Sequence, residues 1–199
     1  MVPAQEFTPL ESERLLLRRF KPADLEPFHA YRSDPAVAKY QGWGEFTLED
    51  ARRFVDDQLG RNPGELGQGA QIAIELQASG AMIGDVYLNT PADEPRQAQI
   101  GYSLATRYQG AGYATEAVRR LLDYVFGPLD KHRVTAVTDT ENVRSIALLE
   151  RIGLRREAHF IQNYWFKGKW SDEYVYAILQ SEWPPSPGLA PRNSSSRGG

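Results

Sequence analysis

Residues 105–117 read ATRYQGAGYATEA. Gly110 and Gly112 are separated by one residue, and Arg107 precedes them. Immediately afterwards Ala114, Ala117, Val118, Leu121, Leu122 and Val125 fall at helical spacing. That spacing predicts a helix over 113–126, closed by Gly127-Pro128. Upstream, Ala98, Ile100, Tyr102 and Leu104 alternate with Gln99, Gly101 and Ser103, the period of a strand. A glycine turn between strand and helix presents unpaired N–H groups at the positive end of the helix dipole. No Cβ keeps a ligand at a distance there. A diphosphate suits such a position. A tight turn that binds nothing is the competing reading.

Working outward, 14–20 reads as a strand, a helix starts at Pro22-Ala23-Asp24, 33–47 is turn-rich, and 48–59 is a second helix. After the Gly/Pro/Asn loop 60–69, strands 70–76 and 81–89 form a hairpin through Gln77–Gly80. Beyond the glycine turn come a strand at 132–138 and a helix over 142–153 with Asn142 as its cap and Gly153 at its end. Strands near 154–160 and 173–179 flank a hairpin-like IQNYWFKGKWSD. Only 98–138 reads as a βαβ crossover. The expected class is therefore α+β, with a mixed, mostly antiparallel central sheet and flanking helices. One domain is expected over 1–183, followed by a Pro/Ser/Gly-rich tail, 184–199, expected to be disordered.

The 199 residues contain no cysteine, which excludes disulfides, thiolate metal sites and cysteine nucleophiles. His29, His132 and His159 lack metal-ligand spacing, so no metal is expected. Net charge is −3 and the basic residues are scattered, so no footprint for nucleic acid is expected. Apolar runs are too short for a bilayer, and the N-terminus lacks the pattern of a secretory signal. The expectation is a cytoplasmic protein without membrane contact.

Three owners of the glycine turn compete. A P-loop needs Gly-Lys-Ser/Thr, which is absent. A dinucleotide fold needs a third glycine where Thr115 stands. Asp139 does end the next strand, but too few βα units follow it. The third owner rests on a series of stretches in order: SERLLLRRF (12–20), DPAVAKYQGW (34–43), IGYSL (100–104), YQGAGYATEAVRRLLDYVF (108–126), NVRSIALLERIGL (142–154) and GKWSDEYVYAIL (168–179). Together they resemble the GNAT superfamily of acetyl-CoA-dependent N-acetyltransferases, most nearly the branch of ribosomal-protein N-terminal acetyltransferases.

That resemblance implies a splayed parallel strand pair and acetyl-CoA as acetyl donor. The diphosphate would lie on the backbone of Gln109, Gly110, Ala111, Gly112, Tyr113 and Ala114, with Arg107 as a charged neighbour. Leu104 and Ala105 would pair with the pantetheine arm, and either N–H could face the oxyanion. Gly101 is a place for a bulge. Asn142 would touch the same arm. Ser145 matches a position proposed in relatives to protonate the leaving thiolate. The tyrosine that many members carry a turn later is replaced by Leu148-Leu149. Gln99 stands where relatives often have a glutamate base and cannot accept a proton. Asp139 and Asp85 are acidic alternatives near strand ends, for which surface solvation is the ordinary reading. Tyr40, Trp43, Tyr164, Trp165 and Trp170 fall in the two acceptor loops, where aromatic walls suit an amine but packing explains them equally. The acceptor would be a protein N-terminus or a small-molecule amine, and a homodimer is compatible with the sequence. A non-catalytic acyl-CoA sensor is the alternative.

Overall fold

Why one pair of strands parts is the central question of this fold, and the sheet order answers it. The computed structural model describes residues 6–184; the tail from 185 on lies outside the described residues. The elements are β1 (Leu10–Glu11), β2 (Leu15–Arg18), α1 (Leu25–Arg32), α2 (Pro35–Ala38), α3 (Leu48–Leu59), β3 (Gly69–Leu76), β4 (Met82–Asn89), β5 (Gln97–Leu104), α4 (Tyr113–Phe126), β6 (Arg133–Asp139), α5 (Val143–Arg151), β7 (Arg155–Phe166) and β8 (Lys169–Leu179). They build one sheet in the order β1-β2-β3-β4-β5-β6-β8-β7. Among the described strands only β5 and β6 run parallel, and they pair for three positions, Gln97↔Arg133 to Gln99↔Thr135. Past Gln99 no β5–β6 register partners remain among the described residues, while β5 stays paired with β4 as far as Leu104. The fold is the expected α+β arrangement with a splayed parallel pair.

Strand alternation sends each sheet face to a different helix layer. On β3, Ile72 and Ile74 join the core formed with Val118, Leu121 and Leu122 of α4 and Leu148 of α5. Ala73 between them joins Phe28 of α1 and Val55 of α3 on the other face. The helix starts follow the sequence signals. Thr47 and Asp50 form a reciprocal capping box on α3, and Asn142 Oδ1 accepts the Ser145 N–H at the start of α5.

Four readings are corrected. A two-residue strand, β1, precedes the first expected one and pairs with it. The turn-rich 33–47 contains the helix α2, started by Pro35 and by Asp34, whose carboxylate accepts the Ala36 N–H. The strands expected near 154–160 and 173–179 are longer, running on into the hairpin-like 161–172. As β7 and β8 they meet at a turn where Lys167 and Gly168 have φ of 48° and 80°, the left-handed pair that suits a two-residue hairpin loop. Gly101 is not a bulge, because the β4–β5 register runs unbroken through Tyr87↔Gly101. Register irregularities lie at Ile74/Glu75 and, between β7 and β8, at Arg156/Ala158 and Phe160/Tyr164.

Asp85 is not a solvated strand end. It is 1% exposed on the α1 face of β4, where its carboxylate accepts the Tyr31 hydroxyl at 2.5 Å and the Arg32 guanidinium at 2.8 Å. Trp43 lies over that guanidinium, 3.9 Å from carbon to ring centroid, and its Nε1–H donates to the Arg32 carbonyl. Desolvating both charges is expensive and is offset only while both partners are present. Asp85→Ala is therefore expected to cost about 3–5 kcal/mol, read as a lower denaturant midpoint.

Candidate active site

A cavity of about 190 Å³ opens where β5 and β6 part. It passes through the sheet. Ile100, Tyr102, Ala136, Asn142 and Ser145 line it on the α4–α5 face; Val137, Asp139, Glu173, Tyr40 and Tyr164 line it on the other. The Ala105 N–H donates to Ile83 O at 2.9 Å. By the alternation of an antiparallel ladder, the main-chain groups of Tyr102 and Leu104 then point away from β4, toward the gap. This corrects one expectation: the Ala105 N–H is engaged inside the sheet and is not available to an oxyanion. The Leu104 carbonyl accepts Gln109 Nε2–H at 3.0 Å, and Gln109 Oε1 in turn accepts from Arg144.

The glycine turn has the conformation its composition demands. Gly110 and Gly112 have φ of 81° and 83°, and Gly112 is the N-cap of α4, a helix no side chain caps. Its first-turn N–H groups are thereby left to a ligand. A Cβ built on Gly110 meets nothing within 4 Å, so the space beside it is open. These features fit a diphosphate.

A residue that sequence reasoning missed holds this turn in place. Arg14, beside the start of β2, donates to Ala111 O at 3.0 Å and to Glu116 Oε2 at 2.7 Å, and its guanidinium lies 4.4 Å from the centre of the Tyr113 ring. The Arg14 N–H and the Ser12 hydroxyl both donate to Glu116 Oε1. The partners are about a hundred residues apart in sequence, and no local pattern announces such a pair. Arg107 is placed elsewhere. It stacks on Tyr108 and lines a second groove with Asp34, Thr106 and Ala105.

Ser145 lies in the slot, its Oγ 2.7 Å from the Tyr102 hydroxyl. Burial, opposed by that bond, pushes the Tyr102 hydroxyl up to about 12. Of the aromatic candidates, Tyr40 and Tyr164 line the slot, and the Tyr40 hydroxyl donates to Glu141 O at 3.1 Å. Trp43 packs on Arg32 instead, and Trp165, 58% exposed, packs edge-on against Trp170. Gln99 is exposed and accepts from Asn89. Asp139 and Glu173 are opposite neighbours across β6–β8, and both line the slot.

A family profile described as "Acetyltransferase (GNAT) domain" matches residues 14–155. The chain belongs to the GNAT acetyltransferases. The family is acetyl-CoA-dependent, and this acetyltransferase is 34% identical to the uncharacterized N-acetyltransferase YnaD of Bacillus subtilis (strain 168) over 174 residues, 87% of this chain and 98% of that one. A crystal structure of a GNAT-family acetyltransferase from Bacillus anthracis matches with a TM-score of 0.80 at 35% identity, over 88% of this chain and all of that one. The [ribosomal protein uS5]-alanine N-acetyltransferase of Escherichia coli (strain K12) is 30% identical over 86 residues, 43% of this chain and 44% of its own.

The clasp on the glycine turn gives this acetyltransferase a pH signature. Burial raises the Glu116 carboxyl, but the hydrogen bonds from Arg14 and Ser12 outweigh it and hold the group below the usual carboxylate range. A depressed carboxylate contributes stability above its unfolded-state pKa and loses it as pH falls through the folded value. As pH falls through that lowered value the clasp is expected to open. Amide exchange at residues 110–116, corrected for its intrinsic pH dependence, should then accelerate in the wild type and not in Glu116→Gln.

Proposed function

We propose that this acetyltransferase moves acetyl from acetyl-CoA to a primary amine by direct attack, the donor on the α4–α5 face of the slot and the amine entering between Tyr40 and Tyr164. The observation that carries this reading is the slot between β5 and β6, lined by Tyr102, Asn142 and Ser145 on the α4–α5 face and by a carboxylate pair with Tyr40 and Tyr164 on the other. Backbone N–H groups from Gly110 to Ala114 would hold the diphosphate, and Asn142 would contact the arm. The Leu104 N–H, directed into the gap, would stabilise the developing oxyanion. The attacking nitrogen must first lose a proton. Asp139 and Glu173, which line that side, would receive it through water in place of the glutamate that Gln99 replaces. No covalent enzyme intermediate is needed.

The acceptor is a cation before it reacts, and carboxylates beside aromatic rings suit a cation. A protein N-terminus, as in the uS5-alanine relative, and a small-molecule amine both meet that chemistry.

Thermal unfolding with and without acetyl-CoA tests the donor side. At a hundredfold excess over Kd the wild type should gain about 2.7 kcal/mol. Gly110→Val adds atoms where no protein atom stands, and is expected to weaken acetyl-CoA binding by roughly tenfold or more, about 1.4 kcal/mol. A left-handed valine also strains the fold, so affinity rather than melting temperature is the readout. Thiol release over a panel of amines tests the transfer. Binding without turnover on any amine would favour an acyl-CoA sensor.

A further inference from the structure

Resting on that reading, we propose that Tyr102 is the proton donor to the leaving thiolate, with Ser145 as its hydrogen-bonded relay. Helix α5 has Leu148 and Leu149 facing the core rather than a hydroxyl a turn after Ser145. Strand β5 supplies the hydroxyl instead. Tyr102 lines the slot and packs against the core that α4 shares, the helix whose N-cap is Gly112. Its hydroxyl is 2.7 Å from Ser145 Oγ and 3.3 Å from Ser145 O. Its ring packs against the core beneath, which fixes where the hydroxyl points. Tyr40 and Tyr164, the other phenols of the slot, stand on the amine side, and Tyr40 already donates to Glu141 O.

Chemistry orders the pair. An alkyl thiolate with a thiol pKa near about 8.5 must pick up a proton at neutral pH, and a phenol, even one that burial pushes up to about 12, is a closer match than an alkyl alcohol. The serine hydroxyl is far less acidic. Burial keeps Tyr102 protonated throughout the working range, so the donor is always loaded. In the transfer, the carbon–nitrogen bond forms as the carbon–sulfur bond breaks, leaving its electron pair on sulfur. Tyr102 Oη gives its proton to that sulfur. The phenolate regains a proton from water through Ser145 Oγ, while the proton of the attacking nitrogen leaves to water on the Asp139–Glu173 side. Proton count and charge are then restored.

Two readouts test this, one independent of turnover. Calorimetric Kd values for CoA and for desulfo-CoA are compared in the wild type and in Tyr102→Phe. The wild type should prefer CoA severalfold, and the variant should lose that preference while keeping its desulfo-CoA affinity. In turnover, Tyr102→Phe should lower kcat about 100-fold with KM for acetyl-CoA nearly unchanged, and Ser145→Ala, which leaves the phenol in place, about tenfold. Replacing Tyr102 by difluorotyrosine keeps ring and hydroxyl but acidifies the phenol. It should introduce an alkaline limb into the kcat profile at a pH where the wild type, its phenol still protonated, shows none, which a purely structural tyrosine would not do. An unchanged CoA preference together with undiminished kcat in Tyr102→Phe overturns the proposal and leaves the acetyltransferase reading standing. A wild type that binds neither CoA nor acetyl-CoA overturns both.

Discussion

The three-position pairing of β5 with β6 is the constraint on which the rest of this molecule depends. A parallel strand that leaves its neighbour strands a row of backbone donors and acceptors, and buried backbone groups need partners. On β5 the side toward β4 is fully used as far as Ala105. The side toward β6 is not, and there the Tyr102 and Leu104 main chain faces a slot rather than a strand.

Keeping such a gap open requires rigid walls. On one face α4 and α5 pack a continuous apolar core against the sheet, and Arg14 ties the glycine turn to the start of β2. On the other, the buried Arg32–Asp85 pair and the Trp43 indole anchor the segment that carries Tyr40 to the slot's edge. Lys167, at the tip of the β7–β8 hairpin, donates to Ala38 O and links that hairpin to α2. The ion pairs here serve position; their net contribution to stability is smaller than the loss on removing one partner.

Local patterns were legible where one element determines its own geometry. Helices α3 and α4 occupy the residues their periodicity and caps indicate, and the glycine turn has the left-handed conformation its glycines predict. The extent of β7 and β8 was less legible, because the run Asn163-Tyr164-Trp165 reads as loop chemistry until the Lys167–Gly168 turn sets the register. Asp85 was misread for a related reason: an aspartate near a strand end is ordinarily solvated, and only the packing of α1 brings Tyr31 and Arg32 to it.

The sequence by itself determined the strand–glycine turn–helix unit, the cap at Asn142 and the order of elements from α3 onward, since each depends on residues within a few positions of one another. Tertiary structure alone decided the chemistry around them. It placed Tyr102 against Ser145, Arg14 against Ala111 and Glu116, and Asp139 beside Glu173. It also sent Trp43 to a buried cation instead of the slot. These meetings join residues from separate elements, and their distances follow from sheet order and strand register, which no spacing along the chain encodes.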